Sequence, residues 1–436
     1  MTNVAFATLG CKVNQYDTDL MKTSFLERGY SLVGFDSMAD VYVVNTCTVT
    51  GMAARKSRQM IARVRKRNAD AVIVVTGCLG QLESNEVKKM TGADIVTGNV
   101  EKTNIVDILE DYSGTPVMKV DDIFKELEYS QYGFSTQEER TRVFIKVQDG
   151  CDNFCSYCAI PFARGRSRSR KAEEVLEEIK SYADKGTKEV VITGIHLDAY
   201  GQDLGDSSLM DLLEAVNEIS GLHRMRLGSL EPLSITQDFV KRAASLDKLC
   251  HHFHLSLQSG CDSTLERMKR RYTTADFAEA LSNIRKYFPD AAITTDIIVG
   301  FPGETESEFR ETYDFVSEAG FMKIHVFRFS ARKGTLAYGM PDKVPGDIKK
   351  HRSEILSTLS EKGFAEYIKS VSSQSHEVIA ERESPEVKGY WEGHTDKYVR
   401  TLFRCSDCIP GSFHKVNFEK IGNDFVFSSL RCSGRV

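Results

Sequence analysis

Short apolar runs alternating with amphipathic segments fill most of the chain. Residues 4–9, 41–44 and 71–75 are nearly continuous apolar stretches, too short for helices, and each is followed by a segment with helix-like spacing. That pattern predicts parallel βαβ units. A second series begins further on, with candidate strands at 142–148, 189–193, 224–228, 252–257, 292–299 and 323–329. Between them lie candidate helices such as 172–185, 273–287 and 304–318, with apolar residues at three- and four-residue steps. Six βα units predict an open, partial version of the eight-stranded barrel, with its active residues at the C-terminal strand ends.

Past Ile368 the helical period gives way to short alternating runs at 376–380, 398–403, 413–416 and 424–427, separated by turns at 389–393, 410–411 and 422–423. These predict a small all-β barrel. The expected fold is therefore α/β. A Rossmann- or flavodoxin-like parallel sheet occupies residues 1–112, and a linker rich in Gly, Ser, Gln and acidic residues occupies 113–138. A partial (β/α)6 TIM-type barrel occupies 139–368, and the small β-barrel 369–436.

Composition narrows the setting. The chain has 436 residues and a net charge of −5, so a polyanion partner must be met by local basic clusters. Eleven cysteines are too few for a disulfide scaffold of this size, and the odd count also favours reduced thiols. No basic segment leads into an apolar run at the N-terminus, and no run approaches the length that spans a bilayer. A soluble, cytoplasmic protein without a membrane partner is expected.

Cys151, Cys155 and Cys158 stand at spacings of four and three in Gly150-Cys151-Asp152-Asn153-Phe154-Cys155-Ser156-Tyr157-Cys158, directly after the first barrel strand. Three thiolates so close can hold three corners of a cubane iron–sulfur cluster, leaving the fourth iron open. The alternatives are a zinc knuckle or reduced core thiols, but no fourth ligand follows nearby. Cys11, Cys47 and Cys78 each follow one of the first three apolar runs, which puts them on the same rim of the predicted sheet. They read either as small core residues or as a second three-thiolate ligand set.

The strings TLGCKVNQYDT, NTCTVT and TGC, ahead of GCDNFCSYCAIPFARGRSRSR, resemble the radical S-adenosylmethionine (SAM) methylthiotransferase family. Cys11-Lys12-Val13-Asn14-Gln15 is most similar to the branch that acts on N6-threonylcarbamoyladenosine in tRNA. The resemblance implies two [4Fe-4S] clusters, an auxiliary one on Cys11, Cys47 and Cys78 and the SAM cluster on Cys151, Cys155 and Cys158. SAM would serve as both radical source and methyl donor, and the C-terminal barrel would be a TRAM RNA-binding domain. The expected reaction is insertion of a methylthio group at carbon 2 of the modified adenosine next to the anticodon, through a 5′-deoxyadenosyl radical. Partners would be the tRNA anticodon stem-loop, a sulfur donor and an electron donor. Alternatives are a relative acting on isopentenyladenosine or on a ribosomal protein, and a non-catalytic iron–sulfur RNA-binding protein.

Residues at the other strand ends are candidate SAM contacts. Gly194 allows close backbone approach, with His196 beside it, and Ser229 and Glu231 offer acceptors. Gln258, Arg328 and Ser330 follow the fourth and sixth strands. Seven basic residues between Arg55 and Arg67 form either a phosphate track or a solvated helix face. The arginines of 164–170 either clamp phosphates or pair internally with the acidic helix that opens at Glu173 and Glu174. Residues 371–436 carry nine basic and nine acidic side chains, so RNA binding there needs a local face with Lys397, Tyr398, Arg400 or Arg404 exposed. Cys405 and Cys408, with His414 and Cys432 further on, form a lone CxxC pair for which reduced surface thiols are expected over structural zinc.

Overall fold

A computed structural model of the chain describes residues 2–48, 51–130, 133–135, 141–205 and 207–431, apart from the side chains of Met90 and Thr91. The first unit is a six-stranded parallel sheet. Its strands run in the order Ser31–Val33, Asn3–Thr8, Val41–Thr46, Val72–Gly77, Ile95–Thr97 and Val117–Lys119. Both faces are covered, which is why these strands read as unbroken apolar runs. Tyr42 and Val44 meet helices Gly51–Arg67 and Cys78–Thr91 on one side, while Val41 and Val43 meet helix Lys12–Glu27 on the other. The sixth strand lies inside the segment expected to be linker. It is a three-residue edge strand, largely exposed and too short to show a periodic signature.

The second unit is the predicted open barrel. Strands Arg142–Lys146, Glu189–Thr193 and Arg224–Leu227 form one parallel set. Ser229–Leu230, His252–Gln258, Ala292–Val299 and Lys323–Arg328 form the next. Gly228 joins the two sets and donates its N–H to the Ile192 carbonyl at 2.8 Å. One large core lies between the strands and their helices. Helices Leu209–Asn217, Thr274–Tyr287 and Glu306–Ala319 each begin with a capping box, formed by Ser208 with Asp211, Thr273 with Asp276 and Thr305 with Glu308. A long helix, Gly346–Val371, leads out of the barrel and crosses the boundary expected at 368.

The last unit is a closed barrel of five strands, His376–Glu383, Trp391–Thr395, Arg400–Phe403, Phe413–Ile421 and Val426–Leu430. Trp391–Thr395 replaces the expected turn at 389–393. Gly393 is needed there for close packing rather than for a turn, because a Cβ would lie 2.0 Å from the Ile379 carbonyl oxygen. This barrel sits against the N-terminal ends of the central strands. Arg226 donates to the carbonyls of Thr395 at 3.0 Å and Asp396 at 2.9 Å, and Arg142 pairs with Glu381 at 3.1 Å. Among the described residues, no helix is long and apolar enough to cross a membrane.

A buried charge network docks the first unit on the barrel's edge strand. Asp17 receives Lys102 and Lys146, each at 2.8 Å, and Arg164 at 3.1 Å, while Arg164 also pairs with Asp149 at 2.9 Å. Burial opposes the charge on Asp17, but the three cations outweigh it and hold its carboxyl well below the usual range. Arg164 and Arg170 are 1% exposed and Arg168 is 6% exposed. Arg170 pairs with the buried Glu178, which also accepts from Tyr16 of the first unit at 3.0 Å. Of the four arginines, only Arg170 pairs with the acidic helix; Arg164 pairs with Asp17 and Asp149 instead, Arg168 donates to backbone carbonyls, and the exposed Arg166 pairs with Asp152. Asp17→Ala leaves three buried cations around one carboxylate. We expect it to cost about 3–5 kcal/mol, read as a lowered urea midpoint for separation of the first unit from the barrel.

Candidate functional site

Three adjacent parallel strands position the first cysteine trio. Thr8 stands opposite Asn45, and Thr46 opposite Gly77, so the loops carrying Cys11, Cys47 and Cys78 leave the sheet side by side. Cys11 caps helix Lys12–Glu27 and is exposed, Cys47 directly follows the central strand, and Cys78 opens helix Cys78–Thr91. Asn14 ties two of these loops by donating to the carbonyls of Leu9 at 2.8 Å and Thr46 at 2.9 Å. Gly10 must lack a side chain, since a Cβ would fall 2.6 Å from Cys47 Sγ and its φ is +102°. Beneath the trio, Lys102, Lys146 and Arg164 outnumber Asp17 and Asp149 by one charge. Arg164 feels the field of Cys78 and Cys11 directly. Three cysteines on adjacent strand ends over an excess of buried positive charge fit an anionic thiolate-ligated cluster.

The second trio lies in the loop after strand Arg142–Lys146. Gly150, at φ +73°, allows Cys151 to turn under the Arg166 carbonyl, where a Cβ would come within 1.8 Å of the oxygen. Ser156 anchors the loop through its N–H to Met268 at 3.0 Å and its hydroxyl to Arg267 at 2.8 Å. Arg270 donates to Cys155 Sγ at 3.0 Å and to Glu231 at 2.6 Å, and Asn153 donates to Glu231 at 2.9 Å. Burial, reinforced by Cys155 and Cys151, pushes the Cys158 thiol up to about 12. Three sulfurs whose charges repel in a buried loop suit a cationic iron core, which would neutralise them.

Two cavities adjoin residues of the cysteine loops, Cys11 at one and Tyr157 at the other. One of about 620 Å³ is the barrel lumen, lined by Cys11, Lys12, Ser229, His252, His254, Thr294, Asp296, His325, Phe327, His394, Tyr398 and Arg400, among others. Alternate strand positions, 252 and 254, 294 and 296, 325 and 327, supply its wall, as the two-residue period of a strand requires. The other cavity, of about 180 Å³, is lined by Tyr157, Gln258, Asp296, Ile298, Phe327, Arg328, Phe329 and Ser330. Asp296 and Phe327 line both, so a continuous line of cavity-wall residues runs from Cys11 to Tyr157 of the CxxxCxxC loop.

The predicted contact residues divide accordingly. Gln258, Arg328 and Ser330 line the smaller cavity and Ser229 the larger. Glu231 is committed to Arg270 and Asn153, and His196 lies 3.7 Å from Glu231 and 3.4 Å from Asn153. Those two support the cysteine loop. Gly194 packs on Gln148, where a Cβ would meet the amide oxygen at 2.9 Å. Sequence reasoning missed Asp296, His254, His325 and Arg270, although alternating polar residues inside predicted barrel strands were a signal for the first three.

Lys12 is the lumen's distinctive charge. Its ammonium lies 5.7 Å from the centre of the Tyr398 ring and 6.0 Å from that of Phe144, and among the described residues it makes no ion pair with a carboxylate. Burial pulls its pKa down, as do Arg226 and Arg142, against the field of Tyr398. Burial likewise lowers His252 and His325, so these imidazoles are neutral donors and acceptors. His254 bridges Thr294 at 2.8 Å and Asp296 at 3.2 Å. On the C-terminal barrel, Lys397 is buried against Asp290, and Arg400 pairs with Glu386 and Glu392. Of the four residues expected on an RNA face there, only Arg404 is fully exposed.

On the basic helix Gly51–Arg67, Arg58, Arg63, Arg65 and Arg67 pair with Glu83, Asp36 and Asp94. Arg55 and Lys56 are exposed, with no acidic partner among the described residues.

Residues 145–316 match the Radical SAM superfamily, and residues 3–98 match Uncharacterized protein family UPF0004. Threonylcarbamoyladenosine tRNA methylthiotransferase MtaB of Bacillus subtilis is 40% identical over 97% of this chain and 95% of its own length. The Aquifex aeolicus protein of the same name is 43% identical over 84% of this chain and 89% of its own. A tRNA-2-methylthio-N(6)-dimethylallyladenosine synthase from Clostridium tetani is 34% identical over 89% of this chain and 87% of its own. Among solved structures, the radical SAM methyltransferase TsrM from Kitasatospora setae shares the fold, with a TM-score of 0.58 at 16% identity over 78% of this chain and 77% of its own. With Cys11 and Tyr157 of the two cysteine loops lining adjoining cavities, a sequence this similar over nearly its whole length has one reading: the chain belongs to the radical SAM methylthiotransferase family, in its threonylcarbamoyladenosine branch, and is an enzyme that uses [4Fe-4S] clusters and SAM.

Proposed function

We propose that the enzyme places a methylthio group on carbon 2 of N6-threonylcarbamoyladenosine beside the anticodon, acting in the cytoplasm on the tRNA anticodon stem-loop. Carbon 2 of an adenine is no electrophile, so its hydrogen must leave by a radical route. When bound, a cluster on Cys151, Cys155 and Cys158 with SAM supplies the 5′-deoxyadenosyl radical, a cluster on Cys11, Cys47 and Cys78 supplies the sulfur, and further SAM the methyl group.

The protein's own residues hold the reactants. Gln258, Arg328 and Ser330, in the smaller cavity beside Tyr157, bind SAM. Glu231 and His196 position the cluster loop through Arg270 and Asn153. Exposed Arg55 and Lys56 meet RNA phosphates beside the first trio. An unpaired, splayed base of an anticodon loop can enter the lumen.

The observation that carries the choice of substrate is Lys12. An ammonium desolvated in a polar lumen next to Cys11 calls for a carboxylate, which a threonylcarbamoyl group has and a dimethylallyl group lacks. His254, the neutral His325 and Asp296 offer hydrogen bonds to its hydroxyl and carbamoyl groups. A hydrocarbon substituent would leave the half-buried Lys12 without a counter-charge, and the site selects against it.

Anticodon stem-loop RNAs bearing either modified adenosine, treated with the reconstituted enzyme and analysed as nucleosides, test this. Methylthiolation is expected on the threonylcarbamoyl RNA alone, and preference for the dimethylallyl RNA would assign the enzyme to the other substrate. Lys12→Gln should lower kcat/KM for the threonylcarbamoyl RNA by roughly 10- to 100-fold, mostly through KM, at unchanged iron content. Cys11→Ala, Cys47→Ala and Cys78→Ala should each abolish thiolation while 5′-deoxyadenosine still forms. Full methylthiolation by any of the three removes the first trio from the reaction.

A further inference from the structure

The C-terminal barrel holds a second kind of sulfur site. Cys405 and Cys408 lie in the loop between strands Arg400–Phe403 and Phe413–Ile421, where they are joined by a disulfide. Cys408 is 9% exposed and packs on Val378, Phe403 and Val416. Its Sγ is 3.2 Å from Nε2 of His414, and the three donor atoms of Cys405, Cys408 and His414 all lie within 4.8 Å of one another. Ser412 Oγ is 2.7 Å from the same imidazole nitrogen. On the neighbouring strand, Val416 stands opposite Leu430, and Arg431 donates its N–H to the Lys415 carbonyl at 2.8 Å. The next residue in the sequence, Cys432, lies outside the described residues.

We infer that Cys405, Cys408 and His414 form a zinc site in the working enzyme. Tetrahedral zinc, with Zn–S near 2.3 Å and Zn–N near 2.1 Å, needs sulfurs about 3.7 Å apart and sulfur–nitrogen separations of about 3.5 Å. The Cys408–His414 pair already has nearly that spacing, and Cys405 needs only to be released from its bond to Cys408. A dithiol reductant supplies two electrons to the S–S bond and leaves as its own disulfide, and the two thiols formed give up their protons to the medium as zinc binds. An enzyme that depends on low-potential iron–sulfur clusters works where a CxxC disulfide near the surface is reduced. A mixed thiolate and imidazole set selects zinc among the common divalent ions and leaves one position for a further donor. The site ties the 404–412 loop to the strand behind it. It thereby steadies the exposed Arg404, whose guanidinium lies 5.1 Å from the centre of the Tyr390 ring.

The test uses the full chain, produced with zinc in the medium and purified anaerobically without chelators, with zinc and iron measured together. About one zinc per chain is expected, lost in Cys408→Ser and in His414→Ala, while iron content and 5′-deoxyadenosine formation stay unchanged. Zinc-edge X-ray absorption on the unsubstituted chain does not depend on how the variants fold. Sulfur scatterers near 2.3 Å with nitrogen near 2.1 Å are expected, and a shell of oxygen and nitrogen alone overturns the site. Zinc content unchanged in both variants also overturns it, as does a fall in iron instead of zinc. So does alkylation mass spectrometry that finds Cys405 and Cys408 still bonded in the anaerobic chain.

Discussion

Asp17 sits one and a half turns into the helix that Cys11 caps, and Arg164 ends the short helix that follows the CxxxCxxC loop. Their contact, with Lys102, Lys146 and Asp149 around it, ties the support of one cysteine trio to that of the other. Taking five charges out of water is expensive, and the attraction offsets that cost only in one well-paired geometry. A network of this kind therefore adds little to stability compared with an apolar contact, but it fixes orientation sharply. Sulfur transfer to a carbon radical needs reacting atoms held close together, which makes orientation the property that matters.

The lumen divides its polarity in the same economical way. Lys12 stands over Tyr398, with Arg142 and Arg226 also stacked on that ring, and Lys323 and Arg400 bring further positive charge to the wall. Burial keeps His252 and His325 neutral, and Asp296 marks the passage to the smaller cavity. The floor comes from the C-terminal barrel through His394 and Tyr398. That barrel is therefore part of the lumen wall. Tyr398 reaches the lumen from a turn at φ +61°, a conformation that non-glycine residues seldom adopt.

Several residues had a role that their sequence context left undecided or hid, for the same reason. Arg164, Arg168 and Arg170 alternate as a phosphate clamp would, yet they are buried against acidic and carbonyl partners. Lys397 and Arg400 looked like an RNA face and are held by Asp290, Glu386 and Glu392. Gly393 read as a turn, although it marks a strand pressed against its neighbour's backbone. In each case the residue type was visible and its burial was not.

What the sequence determined alone was local. Apolar runs of strand length gave the parallel sheets, and the spacing of Cys151, Cys155 and Cys158 gave a three-thiolate ligand set, because period and spacing are set by backbone geometry over a few residues. It also put Cys11, Cys47 and Cys78 on one rim, since every strand of a parallel sheet ends on the same side. Only the tertiary structure decided that Cys11 borders the same lumen as Asp296, and that Lys12 faces it without a carboxylate partner among the described residues. Those facts depend on residues more than a hundred positions apart, such as Asp17 and Arg164, whose pairing is settled by the docking of two folded units and leaves no periodic trace in either segment.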